Sequence, residues 1–250
     1  MRRSNSKIKG QKLKVKVIYI FVLILFLVFS FLIFIFFKVV TLEKFIYVNK
    51  ASDGSAEIIS DSFKYKIPAD TELESARRYG KYKLSSLWQL SEKDEVGGKL
   101  ITETIVKNYS LPVFLWKDKN KSNLNIYQKI QVFFNGKKKN IDFIISSSKI
   151  PSSILIQFVD PTFIEVTPKI DVYDLTGSLN TLDRVSKIIE VMGGKITSNS
   201  KGYDENLNCE ILSNDLKLAR IFANILDCKV LESDSSTLRI KLGAKFVDRF

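Results

Sequence analysis

The hydropathy of the chain is most uneven near its start. Residues Val17 to Phe37 (VIYIFVLILFLVFSFLIFIFF) form a run of 21 residues without a charge, and its only polar side-chain atoms belong to Tyr19 and Ser30. As a helix, at ~1.5 Å per residue, such a run spans about 30 Å, the thickness of a hydrocarbon core. A helix on a soluble core keeps a polar face; this one is apolar all round, which predicts a membrane segment. A cleaved signal peptide would hold ~7–15 apolar residues and end at small side chains. The run is longer, and Lys38-Val39-Val40-Thr41-Leu42 offers no such site. The expectation is an uncleaved anchor.

Beyond the anchor the pattern changes to short alternating pieces. Phe45 to Val48 reads as a strand, Ala51-Ser52-Asp53-Gly54-Ser55 as a D-G turn, and Ala56 to Ile59 as the returning strand of a hairpin. Phe63-Lys64-Tyr65-Lys66-Ile67 alternates apolar and basic side chains, as a half-exposed strand does, and Pro68-Ala69-Asp70-Thr71 breaks it. Tyr79 to Leu84 reads as a turn and a short extended piece, and Ser85 to Leu90 as a helical stretch. Gly97-Gly98 opens a helix over Lys99 to Tyr109, which Leu111-Pro112 stops. Leu124, Ile126, Tyr127, Ile130, Val132, Phe133 and Phe134 fit one amphipathic helix ended by Asn135-Gly136, followed by a solvated Lys137-Lys138-Lys139 loop. Ile141 to Ile145 and Ile154 to Val159 are candidate strands separated by a Ser-rich turn, and Pro161 and Pro168 bracket a linker.

The last part is the most regular. Ile170 to Leu175 reads as a strand. Thr176-Gly177-Ser178 is a turn, with Ser178 a candidate helix cap. Leu179, Leu182, Val185, Ile188, Ile189 and Met192 form an apolar helical stripe closed by Gly193-Gly194. Strands follow at Lys195 to Thr197 and Leu207 to Leu212. A second helix, capped by Asn214 or Asp215, carries Leu216, Leu218, Ala219, Phe222, Ala223, Ile225 and Leu226. Cys228 to Leu231 and Thr237 to Leu242 complete the set. The order β-α-β-β-α-β-β predicts a two-layer α/β (α+β) domain. The expected organisation is a basic tail (1–16), a transmembrane helix (17–37), an α/β domain (42–160) and a C-terminal α/β domain (165–250).

Charge sharpens this picture. The chain of 250 residues holds 39 Lys+Arg and 27 Asp+Glu, a net charge of +12. Arg2, Arg3, Lys7, Lys9, Lys12, Lys14 and Lys16 precede the anchor with no acid among them. By the positive-inside rule the amino terminus stays in the cytoplasm and the rest of the chain lies outside. The basic excess therefore reads as topology and contact with anionic lipid, not as a nucleic-acid footprint. The absence of histidine excludes a Ser-His-Asp triad, a Cys-His dyad and a His-ligated zinc site. Cys209 and Cys228 read as two buried structural thiols, with a Cys209–Cys228 bridge the alternative in an oxidising exterior.

One stretch suggests chemistry. Ile67 to Leu84 gathers Asp70, Arg77, Arg78, Lys81 and Lys83 around two turns. A carboxylate can hold Mg²⁺, and arginines can clamp a pyrophosphate. On composition alone a solvated basic loop beside an acidic one is the favoured reading.

Two segments resemble the bacterial LytR-CpsA-Psr envelope proteins. Ile67-Pro68-Ala69-Asp70-Thr71, Tyr79-Gly80-Lys81-Tyr82-Lys83-Leu84, Gly97-Gly98-Lys99-Leu100-Ile101-Thr102-Glu103-Thr104 and Leu111-Pro112-Val113 are similar, in order and spacing, to that family's "IPRDT … YG … KIN … GG-x-LL-x-x-TV … GIPVD". Ile170 to Gly177, Val185 to Gly194 and Leu242-Gly243-Ala244-Lys245-Phe246 resemble its C-terminal domain. Such proteins transfer lipid-pyrophosphate-linked glycopolymers to the cell wall, with arginines on the pyrophosphate and Mg²⁺ on aspartates. The resemblance thus implies a cell-membrane location, a reduced catalytic domain and a C-terminal module. It marks Asp70 and Lys83 as matching positions; Arg77, Arg78 and Lys81, from the cationic stretch itself, are the phosphate-binding candidates that would stand in for the family's arginines. The motif arginine is Ala69 here, the early Mg²⁺-binding aspartate has no counterpart before Asp53, and the distal arginine-rich segment is missing.

Phosphoryl transfer needs several positioned cations at once. The expectation is therefore a non-catalytic, single-pass envelope protein that binds or scaffolds at the wall or another envelope polymer, with no cofactor. The alternatives are a divergent Mg²⁺-dependent phosphotransferase and a protein–protein adaptor acting through the C-terminal domain.

Overall fold

The structure, a computed structural model, describes residues 19–34, 45–119, 121–135, 140–146 and 150–249. The basic tail, both ends of the apolar run, residues 38–44, the 136–139 loop and the Ser-rich turn at 147–149 lie outside the described residues. The described part is mixed α/β, as the pattern predicts. It falls into two compact units, one holding the start of the chain with residues 125–137, the other residues 45–124 and 138–250.

In the first unit, residues 19–34 are helical (α1). Its large apolar side chains are all exposed, from 42 % at Ile33 to 72 % at Tyr19. Sixteen residues at ~1.5 Å each span about 24 Å. Among the described residues no helix is long and apolar enough to cross a membrane.

The second unit contains two larger sheets and a short hairpin. In the first sheet β1 (Tyr47–Lys50), β2 (Ala56–Ile59) and β3 (Lys64–Ile67) run antiparallel in sequence. Gly54 in the β1–β2 turn takes φ +78°, the positive φ that the D-G signal calls for. Tyr65 and Ile67 are buried while Lys64 and Lys66 are half-exposed, so the alternation of β3 places its apolar face inward. The hairpin of β4 (Glu72–Glu74) and β5 (Lys81–Lys83) leads into α2 (Leu84–Lys93) and α3 (Lys99–Tyr109). The sheet is completed by β6 (Leu115–Asp118) parallel to β1, β7 (Lys121–Ser122) on β6, and β8 (Phe143–Ile144) on β3. Between β7 and β8 comes α4 (Ile126–Asn135), which belongs to the first unit.

The second sheet follows the expected order. It comprises β9 (Ile170–Leu175), α7 (Thr181–Val191), β10 (Ile196–Lys201), β11 (Cys209–Ser213), α8 (Leu216–Leu226), β12 (Lys229–Glu232) and β13 (Leu238–Gly243), arranged β10-β9-β13-β11-β12. Alternate residues of β9, β11 and β13 are buried, which is the signature of one covered face. The stripe of α7 and the mostly apolar α8 supply the cover. Asp215 caps α8, its Oδ1 accepting from the Lys217 and Leu218 backbone amides.

Several local expectations change. Ile154–Val159 is not a strand: Ser152–Leu155 is helical (α5) and Ile156–Phe158 is a 3-10 turn. The stretch between Pro161 and Pro168 is not a bare linker but a helix, α6 (Pro161–Val166), whose Asp160 cap accepts from the Thr162 amide. These short pieces bridge the sheets. Phe158 packs its ring against Phe63 and Tyr65, and Phe163 meets Phe222 of α8 edge-on at 5.4 Å. Ser178 does not cap α7, which starts after Asn180 without a side-chain cap, and Leu179 is 84 % exposed rather than part of the stripe.

Cys209 and Cys228 are not free thiols; they form a disulfide. They precede the first paired residues of the neighbouring parallel strands β11 and β12 (Glu210 opposite Lys229), so the bond staples the mouth of the crossover made by α8. Closing a loop of 19 residues removes about 3 kcal/mol of chain entropy from the unfolded state. Reduction, or Cys228→Ala, is expected to lower unfolding free energy by about that amount, read by urea denaturation.

Ion pairs join the halves as well. Asp227, at the C-terminal end of α8, receives Lys99 Nζ at 2.9 Å and Arg249. Burial works against its charge, but Lys99 and Arg249 outweigh that and hold its pKa below the usual carboxylate range. A depressed folded pKa contributes stability above the ordinary value of about 3.9 and loses it as pH falls through the folded value. Asp227→Asn should therefore be less stable than the parent near neutrality, and the gap should close below about pH 4 in acid-unfolding curves.

Candidate functional site

The stretch expected to carry chemistry is the β4–β5 hairpin and its turn. Opposed residues share a face, so Glu72 with Lys83 and Glu74 with Lys81 form an outward patch of alternating sign. All four side chains are exposed. Leu73, on the other face, is buried. Glu74 is held further by Lys107 at 3.0 Å, which lowers its pKa.

The turn is fixed by α3. Glu103, Thr104, Lys107 and Asn108 lie on one helical face and each grips the hairpin. Thr104 Oγ1 accepts from the Ala76 amide, and Lys107 Nζ donates to the Ser75 carbonyl. Asn108 both donates to the Glu74 carbonyl and accepts from its amide. Arg77 makes a two-pronged pair with Glu103, Nε to Oε2 at 2.7 Å and an Nη to Oε1 at 3.0 Å. Glu103 is only 5 % exposed, and the pair raises the Arg77 pKa. Arg78 turns to Asp248 at 2.7 Å across an exposed contact.

Four of the five candidates thus sit on one hairpin, with Asp70 on the turn before it, and they are not brought together around a cavity. Arg77 and Arg78 serve different carboxylates, Lys81 and Lys83 oppose glutamates, and Asp70 is exposed on the turn after β3. Mg²⁺ asks for several oxygen ligands. Among the described residues no group of three or more acidic or cysteine side chains is arranged to hold a metal, and the turn at Asp70 does not fit one.

A different place has the shape of a binding site. The α2–α3 loop and strands β6 and β7 enclose a cleft of about 120 Å³, lined by Ser91, Glu92, Glu95, Val96, Gly97, Gly98, Trp116, Asp118 and Lys121. The glycine pair explains its floor. A Cβ on Gly97 or Gly98 would come within 2.6 Å of the Trp116 indole, so only glycine lets that ring lie flat on the backbone. Lys50 Nζ spans Glu92 at 2.6 Å and Asp118 Oδ2 at 3.3 Å, and lies 5.4 Å over the Trp88 ring. Burial disfavours the Lys50 charge, yet the two carboxylates raise its pKa, while Lys50 lowers that of Glu92. Asp118 Oδ1 is buried and meets no donor among the described residues.

This cleft escaped the sequence. Its lining comes from two separate segments, 91–98 and 116–121, and the available signal was Gly97-Gly98 with an aromatic residue on the far side of α3. No protein-family profile, no curated protein and no solved structure matches the chain.

Arg77→Ala leaves Glu103 buried without its cation and should cost about 3–5 kcal/mol in urea denaturation. Arg77→Lys, lacking the fork, should restore part of this. Arg78→Ala, at an exposed pair, should stay within about 1 kcal/mol of the parent.

Proposed function

We propose that this chain is a membrane-anchored, extracytoplasmic envelope protein that binds a hydroxyl- or amine-bearing envelope polymer, without phosphotransfer. The observation that carries the reading is the cleft. Its half-buried Trp116 indole, its carboxylates and a buried Asp118 oxygen with no donor among the described residues suit a ligand that packs against an aromatic ring and donates hydrogen bonds, as glycans do. The apolar run of residues 17–37 and the basic tail support an anchor with its amino terminus in the cytoplasm. The Cys209–Cys228 disulfide suits an oxidising exterior. The resemblance to LytR-CpsA-Psr proteins supports the same compartment. Against transfer stand Ala69 in the motif-arginine position and the engagement of Arg77 and Arg78 by internal carboxylates.

A protein-adaptor reading has one observation in its favour. Strand β10 is a sheet edge whose outer side pairs with no strand among the described residues, and five of its six residues are exposed. Its Thr197, Ser198, Asn199 and Ser200 carry no charge, which suits addition of a partner strand.

Full-length protein in detergent should co-sediment with purified wall glycan. Asp118→Asn should weaken that binding about tenfold, the loss expected for a charged hydrogen bond, while Arg78→Ala leaves it unchanged. Equal binding by Asp118→Asn would overturn the cleft assignment. Turnover of a lipid-pyrophosphate substrate with Mg²⁺, abolished by Asp70→Ala, would overturn the non-catalytic reading.

A further inference from the structure

Helix α4 leaves much of its apolar arc exposed. At ~100° per residue, Phe133, Ile126, Ile130 and Tyr127 fall on one arc about 120° wide, with Gln131 just beyond its Tyr127 margin and Gln128 turned away from it. A helix of a soluble domain buries its apolar arc. Here Ile126, Tyr127 and Phe133 are 68 %, 51 % and 73 % exposed and Ile130 is half-buried, while Gln131 is buried at 8 %.

The surroundings say what covers that arc. Residues 125–137, with α4, group with residues 1–44 and not with the two-sheet unit. Lys129 flanks the arc and is exposed, and the helix contains no acidic residue. In sequence the helix is followed by Gly136-Lys137-Lys138-Lys139. An exposed apolar arc with a tyrosine at its margin, lysine beside it and no acid has the chemistry of a helix lying in a lipid headgroup layer. Pairing with a second copy would set lysine against lysine with no acid on the helix to offset it.

We propose that α4 lies in the outer headgroup layer of the membrane that carries the anchor, burying Ile126, Ile130 and Phe133 toward the acyl chains. This would give the exported part a second membrane contact. The proposal rests on the anchor reading of residues 17–37.

Site-directed nitroxide labelling tests it on the full chain reconstituted in phosphatidylcholine–phosphatidylglycerol vesicles. The native cysteines are paired, so a label goes to the engineered thiol. Ile126→Cys, Ile130→Cys, Gln128→Cys and, in the anchor, Phe26→Cys are compared for relaxation by oxygen and by a water-soluble nickel chelate. Labels at 126 and 130 should favour oxygen several-fold more than the label at 128, and should do so more strongly as the anionic lipid fraction rises. Nickel access at 126 and 130, or exclusion of both relaxants there by protein or a second copy, overturns the proposal. The label at 26 separates the two readings. If it is in lipid while 126 and 130 are in water, the α4 proposal alone fails; if 26 is itself in water, the anchor reading fails and takes the proposal with it. Because residue 126 is largely exposed, unchanged thermal unfolding of Ile126→Cys serves as the control for folding.

Discussion

A carboxylate inside the most enclosed helix of the fold has to be neutralised, and much of the candidate region is arranged around that need. Every residue of α3 from Leu100 to Val106 is buried, Glu103 among them. An isolated charge there would cost several kcal/mol, roughly. Arg77 supplies the partner, and its planar fork matches both carboxylate oxygens. To deliver it, the chain places two successive arginines at φ +62° and +58°, a region that non-glycine residues seldom enter. The four grips from one face of α3 hold that turn in place. The arginines that sequence reasoning offered to a phosphate are thereby used to close the fold.

The same logic of buried partners joins the two sheets. Residues 150–166 run between them, and their Phe158 and Phe163 insert into opposite halves, one beside Phe63 and Tyr65, the other against Phe222. Asp227 then receives Lys99 from the first half and Arg249 from the chain's end. Ring packing supplies the apolar area, and the ion pairs set the orientation in which that area is buried.

What was legible in the sequence was periodic. The hairpin around Asp53-Gly54, the helix after Gly97-Gly98 and the whole order from β9 to β13 follow local rules of alternation, turn chemistry and capping, which act over a few residues. What escaped depends on distance in space. Glu103 lies 26 residues from Arg77, and Asp248 lies near the far end of the chain from Arg78, so neither partner can be read from the cationic stretch. Residues 150–166 contain apolar runs too short for a period to distinguish helix from strand. The disulfide was within reach: two cysteines at the starts of strands flanking one crossover helix belong side by side when those strands are parallel neighbours. That step required the pairing of β11 with β12, which periodicity does not supply.

The sign of charge around the Trp116 cleft bears on what it can hold. The chain as a whole is strongly basic, at +12, yet among the described residues the cleft wall sets Glu92, Glu95 and Asp118 against Lys121, with Lys50 behind it. Lys50 is engaged by two of the three carboxylates and by the Trp88 face, so its charge is spent on the wall itself. A local acidic excess in a basic protein repels pyrophosphate and favours groups that donate hydrogen bonds or carry positive charge. The hairpin lysines offer no counterweight, since Glu72 and Glu74 stand directly across from them. A phosphate-transfer centre requires the reverse arrangement, with cations converging and carboxylates held at a distance. On electrostatic grounds the cleft and the hairpin argue in the same direction, away from an arrangement that gathers phosphate.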